Sequence, residues 1–144
     1  MGKTGDFHTL KGYQASEQAE LTPAMEDYLE MICRLLQHSK AARIGEIAYR
    51  LNVRPSSVTK MIQQLKAAGY VNFERYGHIM LTDKGRQAGD YLLYRHDVLQ
   101  RFLCMLNNSE DELEQVEKIE HFINRETVEN LDRLIADMEK MKQA

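Results

Sequence analysis

Cysteine and proline are scarce in this 144-residue chain, with two of each, and no apolar run approaches the ~20 residues that a membrane helix needs. Cys33 and Cys104 lie far apart inside apolar helical patterns, without a Cys-x-x-Cys spacing. That argues against a disulfide framework and against a thiolate zinc site, and both read as reduced core residues. The two prolines, Pro23 and Pro55, stand where helices begin, where a missing N–H costs nothing. The opening Met1-Gly2-Lys3-Thr4-Gly5-Asp6 has no apolar h-region, and Asp6 replaces the Ser or Thr of a myristoylation signal. A cytoplasmic protein with no membrane partner is the expectation. With 43% hydrophobic and 28% charged residues, composition also argues against wholesale disorder.

The net charge of −3 speaks superficially against nucleic acid, but the charge is segregated. From Arg34 to Arg86 ten basic residues stand against three acidic ones, whereas from Asn107 onward eleven acidic residues meet five basic. A basic middle and an acidic end fit a phosphate-binding module joined to one that does not touch DNA. The length allows two small domains sharing a long helix.

Residues 1–20 show little periodicity and read as a flexible tail. Thr22 as N-cap and Pro23 open a first helix, with Met25, Tyr28, Leu29, Ile32, Leu35 and Leu36 at helical spacing, fading near Gln37–Lys40. A second helix spans about Arg43 to Leu51, and after Asn52-Val53-Arg54 a third starts at Pro55 and stops at Gly69. Strands follow at about Tyr70–Glu74 and His78–Leu81. Thr82 caps a long fourth helix reaching Leu106. Ser109 with Glu112 has capping-box spacing, predicting a fifth helix over Ser109–Phe122 and a sixth over Arg125–Lys142. The pattern predicts a mainly α fold with a small β wing: an N-terminal winged helix-turn-helix DNA-binding domain over 21–90 and a C-terminal helical domain over 91–144.

With Val58, Met61, Ile62 and Leu65 inward, the third helix turns Ser56, Ser57, Thr59, Lys60 and Gln63 outward. Hydroxyls, an amide and a cation are types that meet base edges and phosphates in a major groove. Arg54 at the helix start reaches for a phosphate, and Arg75 and His78 sit on the wing. Any one of them alone describes an ordinary wet surface; order, element lengths and local charge together favour DNA.

Asp27 and Glu30, three residues apart, share a helix face turned from the apolar stripe. Glu117, Glu120 and His121 repeat the arrangement on the fifth helix, and His96 lies between the two patches. Each patch alone reads as a solvated face, and His96, on a face with Leu92, Leu99 and Leu103, reads as a packed histidine. Periodicity does not show that the places meet. They would if the first and fourth helices pack antiparallel and the fifth folds back. Oxygen and imidazole donors without thiol suit a hard divalent cation, Mn²⁺ or Fe²⁺, with room for one or two ions per subunit.

The motifs Thr22-Pro-Ala-Met-Glu-Asp-Tyr-Leu-Glu30, Arg54-Pro-Ser-Ser-Val-Thr-Lys-Met61, Leu81-Thr-Asp-Lys-Gly85, Tyr94-Arg-His96 and Val116-Glu-Lys-Ile-Glu-His121 resemble the diphtheria-toxin-repressor family, in its short manganese-regulator branch. The resemblance runs from about Leu21 to Lys142. It implies a homodimer, with 91–144 as metal-binding and dimerisation domain and a binuclear metal site between the domains. Asp27, Glu30, His96, Glu117, Glu120 and His121 all match ligand positions. Iron-sensing relatives place sulfur donors where Asp27 and Glu120 stand, so the resemblance favours manganese. The leading tail and Arg54 depart from the pattern, and Arg54 bears on the operator sequence.

The resulting expectation is a Mn²⁺-responsive transcriptional repressor of manganese uptake genes, acting on a palindromic double-stranded operator and binding no small organic ligand. An iron-responsive regulator of the same family, or a winged-helix regulator not controlled by metal, is the alternative. An enzyme is not expected: every good donor is assigned to the metal, and no separate general base or substrate pocket is visible.

Overall fold

Thr22 starts the fold as anticipated, its hydroxyl oxygen accepting the Met25 N–H at 3.1 Å. The computed structural model describes residues 9, 10, 13, 21–38, 41–73 and 77–143. The tail expected over 1–20 therefore falls almost wholly outside the described residues, and Arg75 lies outside them too.

Helix α1 (Pro23–His38) buries Met25, Tyr28, Leu29, Ile32, Cys33 and Leu35 on one face. A two-residue strand β1 (Ala42–Arg43) precedes α2 (Ile44–Leu51), so Arg43 is extended backbone and not the first residue of the helix. The reason lies in the sheet: β1 pairs antiparallel with β3, Ala42 opposite Ile79 and Arg43 opposite His78. Two residues are too few to carry a readable alternation. Asn52, in the left-handed region at φ 55°, ends α2 and turns the chain toward α3 (Pro55–Ala67). Val58, Ile62 and Leu65 of α3 are fully buried. Gly69 (φ 88°) closes α3, with the Tyr70 N–H donating to the Leu65 carbonyl at 2.9 Å. Strands β2 (Val71–Phe73) and β3 (His78–Leu81) complete a sheet in the order β1-β3-β2.

The end of α3 is tied to the start of α4 (Asp83–Asn107). The Thr82 hydroxyl accepts from the Gly85 N–H at 3.0 Å and donates to the Gly69 carbonyl at 2.6 Å, and Lys84 Nζ donates to the Ala68 carbonyl at 2.9 Å. Gly85 permits this join, because a Cβ there would overlap the Tyr70 carbonyl.

Beyond α4, the fifth helix differs from expectation. It begins at Leu113, as α5 (Leu113–Ile119), and not at Ser109. The Ser109 hydroxyl donates to the Glu112 carboxylate at 2.7 Å, the helix start at Glu112 carries no side-chain cap, and the Asp111 carboxylate accepts from Leu113 N–H. The expected helical stretch to Phe122 also tightens after Ile119 into a 3-10 turn (Glu120–Phe122). Helix α6 (Arg125–Gln143) packs back on α4. The long helix serves separate clusters: Leu92 joins a core built with α1, α3 and the sheet, while Val98 packs with Val128 and Ile135, and Leu99 and Leu103 with Val116. Among the described residues no helix is long and apolar enough to cross a membrane. Both cysteines are free; Cys33 is buried, whereas Cys104 is only half-buried.

Gly89 lets α1 and α4 approach closely, since a Cβ there would run into the Cys33 sulfur. Gly89→Ala is therefore expected to overpack this contact and lower stability by about 1–3 kcal/mol. Urea unfolding measures it; an unchanged midpoint would show that the helices have slack at this level.

Candidate metal centre and nucleic-acid face

The α1–α4 contact decides where the acidic groups go. It brings Glu30, on α1, opposite His96, on α4, and the turn after α5 delivers Glu120 to the same place. One donor atom from each of these three residues lies within 4.8 Å of the others. His96 Nδ1 is 3.4 Å from Glu120 Oε1 and 3.8 Å from Glu30 Oε2. Asp27 and His121 meet alongside, Nε2 to Oδ1 at 3.0 Å. Glu117 is exposed and stands outside the three-donor group, but it lines the same cavity of about 310 Å³ with Asp27, Glu30, Met31, Arg50, Leu51 and Glu120. Glu120 and His121 reach their positions from the 3-10 turn, so the single α-helical arc expected for Glu117, Glu120 and His121 does not exist.

The electrostatics are those of a site short of positive charge. Glu120 is 2% exposed, and its buried Oε1 and the buried His96 Nδ1 face each other at 3.4 Å without the geometry of a hydrogen bond. Leaving such groups unpaired is costly. Burial, then the charge of Glu120, raises the Glu30 carboxyl above its ordinary value, against the pull of Arg34, whose Nε donates to Glu30 at 3.2 Å. The contact with Glu120, opposed by burial and helped by Glu30, raises His96. Asp27 and then Glu26 push His121 up to about 9, against burial. Buried donors in poor hydrogen-bond geometry, crowded carboxylates and imidazoles without thiol fit a hard divalent cation.

Sequence reading missed two residues here. Arg95 is 3% exposed and paired with Glu26, Nη1 to Oε2 at 3.4 Å and Nη2 to Oε1 at 3.2 Å; Glu26 Oε1 also lies 2.8 Å from His121 Nδ1. The signal was available: Arg95 lies on the buried side of α4 with Leu92 and Leu99, and a buried guanidinium requires an acid.

On the helix-turn-helix, Arg54, Ser56, Ser57, Lys60 and Gln63 are exposed along α3 and its N-terminus. Thr59 is half-buried, and its hydroxyl donates to the Pro55 carbonyl at 3.1 Å. His78, half-buried on β3, has Nε2 2.9 Å from Nη2 of Arg43 on β1, a neighbour hidden from sequence reading because the strand was.

Comparison with known proteins completes the description. Residues 20–79 match the family described as iron dependent repressor, N-terminal DNA binding domain, and residues 82–143 match iron dependent repressor, metal binding and dimerisation domain. The chain is 42% identical over 115 residues to the HTH-type transcriptional regulator MntR of Geobacillus kaustophilus (strain HTA426), covering 79% of this chain and 82% of that protein. Among solved structures it is similar to the manganese regulator SloR (TM-score 0.71, 27% identity, 81% of this chain and 55% of that one). It is also similar to the apo form of the manganese-activated repressor ScaR (TM-score 0.65, 28% identity, 76% of this chain and 53% of that one). The chain thus spans about half the length of these solved chains.

The His121 contacts generate a pH dependence of the metal-free protein. Because the folded value of about 9 exceeds the ordinary 6.5, their stabilisation is complete below pH 6.5 and fades as pH rises through about 9. Thermal melts across that window are expected to fall for the wild type and to fall less for His121→Gln. Parallel curves would show that these ion pairs contribute nothing.

Proposed function

The chain belongs to the iron-dependent repressor family, and on that premise we propose that it is a manganese-responsive transcriptional repressor acting in the cytoplasm on manganese uptake genes. The family consists of DNA-binding, metal-binding, dimerising regulators and not of enzymes. The observation that carries the reading is the meeting of Glu30, His96 and Glu120, from remote parts of the chain, within 4.8 Å. We assign Asp27, Glu30, His96, Glu117, Glu120 and His121 as ligands of one or two ions per subunit. We further assign 21–90 to DNA binding and 91–144 to metal binding and dimerisation. Fe²⁺ competes for the same donors. The absence of sulfur from the six assigned ligands, and the similarity to proteins described as a manganese regulator and a manganese-activated repressor, favour Mn²⁺.

A bound divalent cation would supply the positive charge that the buried carboxylates lack. The remainder follows from this chain's own residues. Glu30 and Asp27 stand on α1, which packs in the core of the helix-turn-helix half; Glu117, Glu120 and His121 stand beyond α4; and His96 is on α4 between them. Repulsion among the carboxylates works against holding these elements together, and its relief favours one arrangement of the two halves. Arg50 and Leu51 of α2 form part of the same cavity wall, so the helix-turn-helix itself borders the charge. In a dimer, that arrangement fixes the separation of two recognition helices near one DNA turn, about 34 Å, which suits a palindromic operator. Only a difference in affinity between arrangements shifts the population.

Arg54, Ser56, Ser57, Thr59, Lys60, Gln63, Arg75 and His78 are proposed as the DNA contacts. Ser56, Gln63 and Lys60 are offered to the groove from α3. Thr59 must exchange its Pro55 bond to donate there, and His78 would act with Arg43 as a wing pair.

The test is titration of a DNA duplex, enriched from a random pool in the presence of Mn²⁺, with and without that ion. Tighter binding with Mn²⁺ is expected, and Glu120→Ala is expected to erase the difference; equal affinity of the wild type in both conditions refutes the switch. Lys60→Ala should weaken binding across sequences and reduce the salt slope by about 1. An unchanged slope would remove Lys60 from the phosphate contacts.

A further inference from the structure

Glu26 is not among the six assigned ligands, yet it is the acid most tightly built into this region. Both of its oxygens are engaged by Arg95, and Oε1 is shared with His121 Nδ1. Arg95 is buried, with its guanidinium 5.9 Å from the Tyr91 ring, whose surroundings also include Arg125 at 3.8 Å. A carboxylate held by three contacts has a fixed direction. The imidazole of His121 is pinned between it and Asp27, with Nδ1 toward Glu26 and Nε2 toward Asp27, and Asp27 in turn lines the donor cavity. The nitrogen of a histidine that stays free to ligate is set by the hydrogen bond its other nitrogen makes.

We propose that Glu26, oriented by Arg95, is the positioning residue for His121: it takes the Nδ1 hydrogen and so presents Nε2 as the ligating nitrogen. The inference rests on the metal reading above. It adds a residue pair from two helices remote in sequence but packed together, α1 and α4, that aims a side chain of the 3-10 turn. Replacement of such an outer partner typically lowers metal affinity 10–100-fold.

The experiment uses full-length protein. Nitrogen-15-labelled histidine in the wild type, loaded with cadmium-113, should show metal coupling at His121 Nε2 and a retained proton on Nδ1. Coupling through Nδ1 overturns the proposal whatever the variants do. Glu26→Ala alone strands a buried guanidinium and risks misfolding, so the paired variant Glu26→Ala with Arg95→Met removes both charges. This pair is expected to melt cooperatively and to bind Mn²⁺ 10–100-fold more weakly, read by the electron paramagnetic resonance of free Mn²⁺. Glu26→Gln, whose amide oxygen still accepts from Nδ1, should retain most of the affinity. If the glutamine and alanine forms lose affinity equally, or neither loses any, the positioning role is wrong. Absence of Mn²⁺ binding in the wild type would instead sink the metal reading and this inference with it.

Discussion

Two acids facing each other under cover set the terms for this molecule. Unit charges about 4 Å apart interact by about 4 kcal/mol at an effective dielectric near 20, a large fraction of the ~5–15 kcal/mol that holds a small protein folded. Glu30 and Glu120 bring donor atoms within 4.8 Å of one another and of His96. Arg34 offsets part of that repulsion, and the Glu30 carboxyl rises above its ordinary value, first through burial and then through the charge of Glu120. Packing creates this situation: the missing side chain at Gly89 draws α1 against α4, and the turn at Glu120–Phe122 closes over the gap. The folded chain thus concentrates negative charge at the seam between its two halves.

Much of this was legible in the amino acids. Helices with strong starts and a continuous apolar stripe, α1, α3 and α4, stand close to where Thr22, Pro55 and Thr82 put them, because capping and burial act on the same residues. The elements that escaped are those whose cause is tertiary. Strand β1 exists only because β3 is there to pair with it. The start of α5 moved because Ser109 donates to the Glu112 side chain, and Gln100, from another helix, accepts the Glu112 N–H at 3.2 Å. Of the site, residue types and spacing pointed to Glu30, His96 and Glu120, but not to the turn that orients Glu120. The Arg95–Glu26 pair was hidden because its two members stand 69 residues apart in the chain.

Charge segregation along the chain has a counterpart in space. The hydroxyls, amide and cation of α3 are largely exposed, while the acids gather around the cavity that α1, α2 and the segment after α4 share. A net charge of −3 is therefore an average over surfaces of opposite character, and averages of this kind say little about partners.

The join at Thr82 has a mechanical meaning. One hydroxyl bonds in two directions, Lys84 adds a third link, and the Thr82 N–H donates to the Tyr70 carbonyl at 3.1 Å. The tail of α3 is thereby riveted to the root of a 25-residue helix. A change in the tilt of α4 near His96 would therefore be handed directly to the end of α3, like an oar turning in its lock.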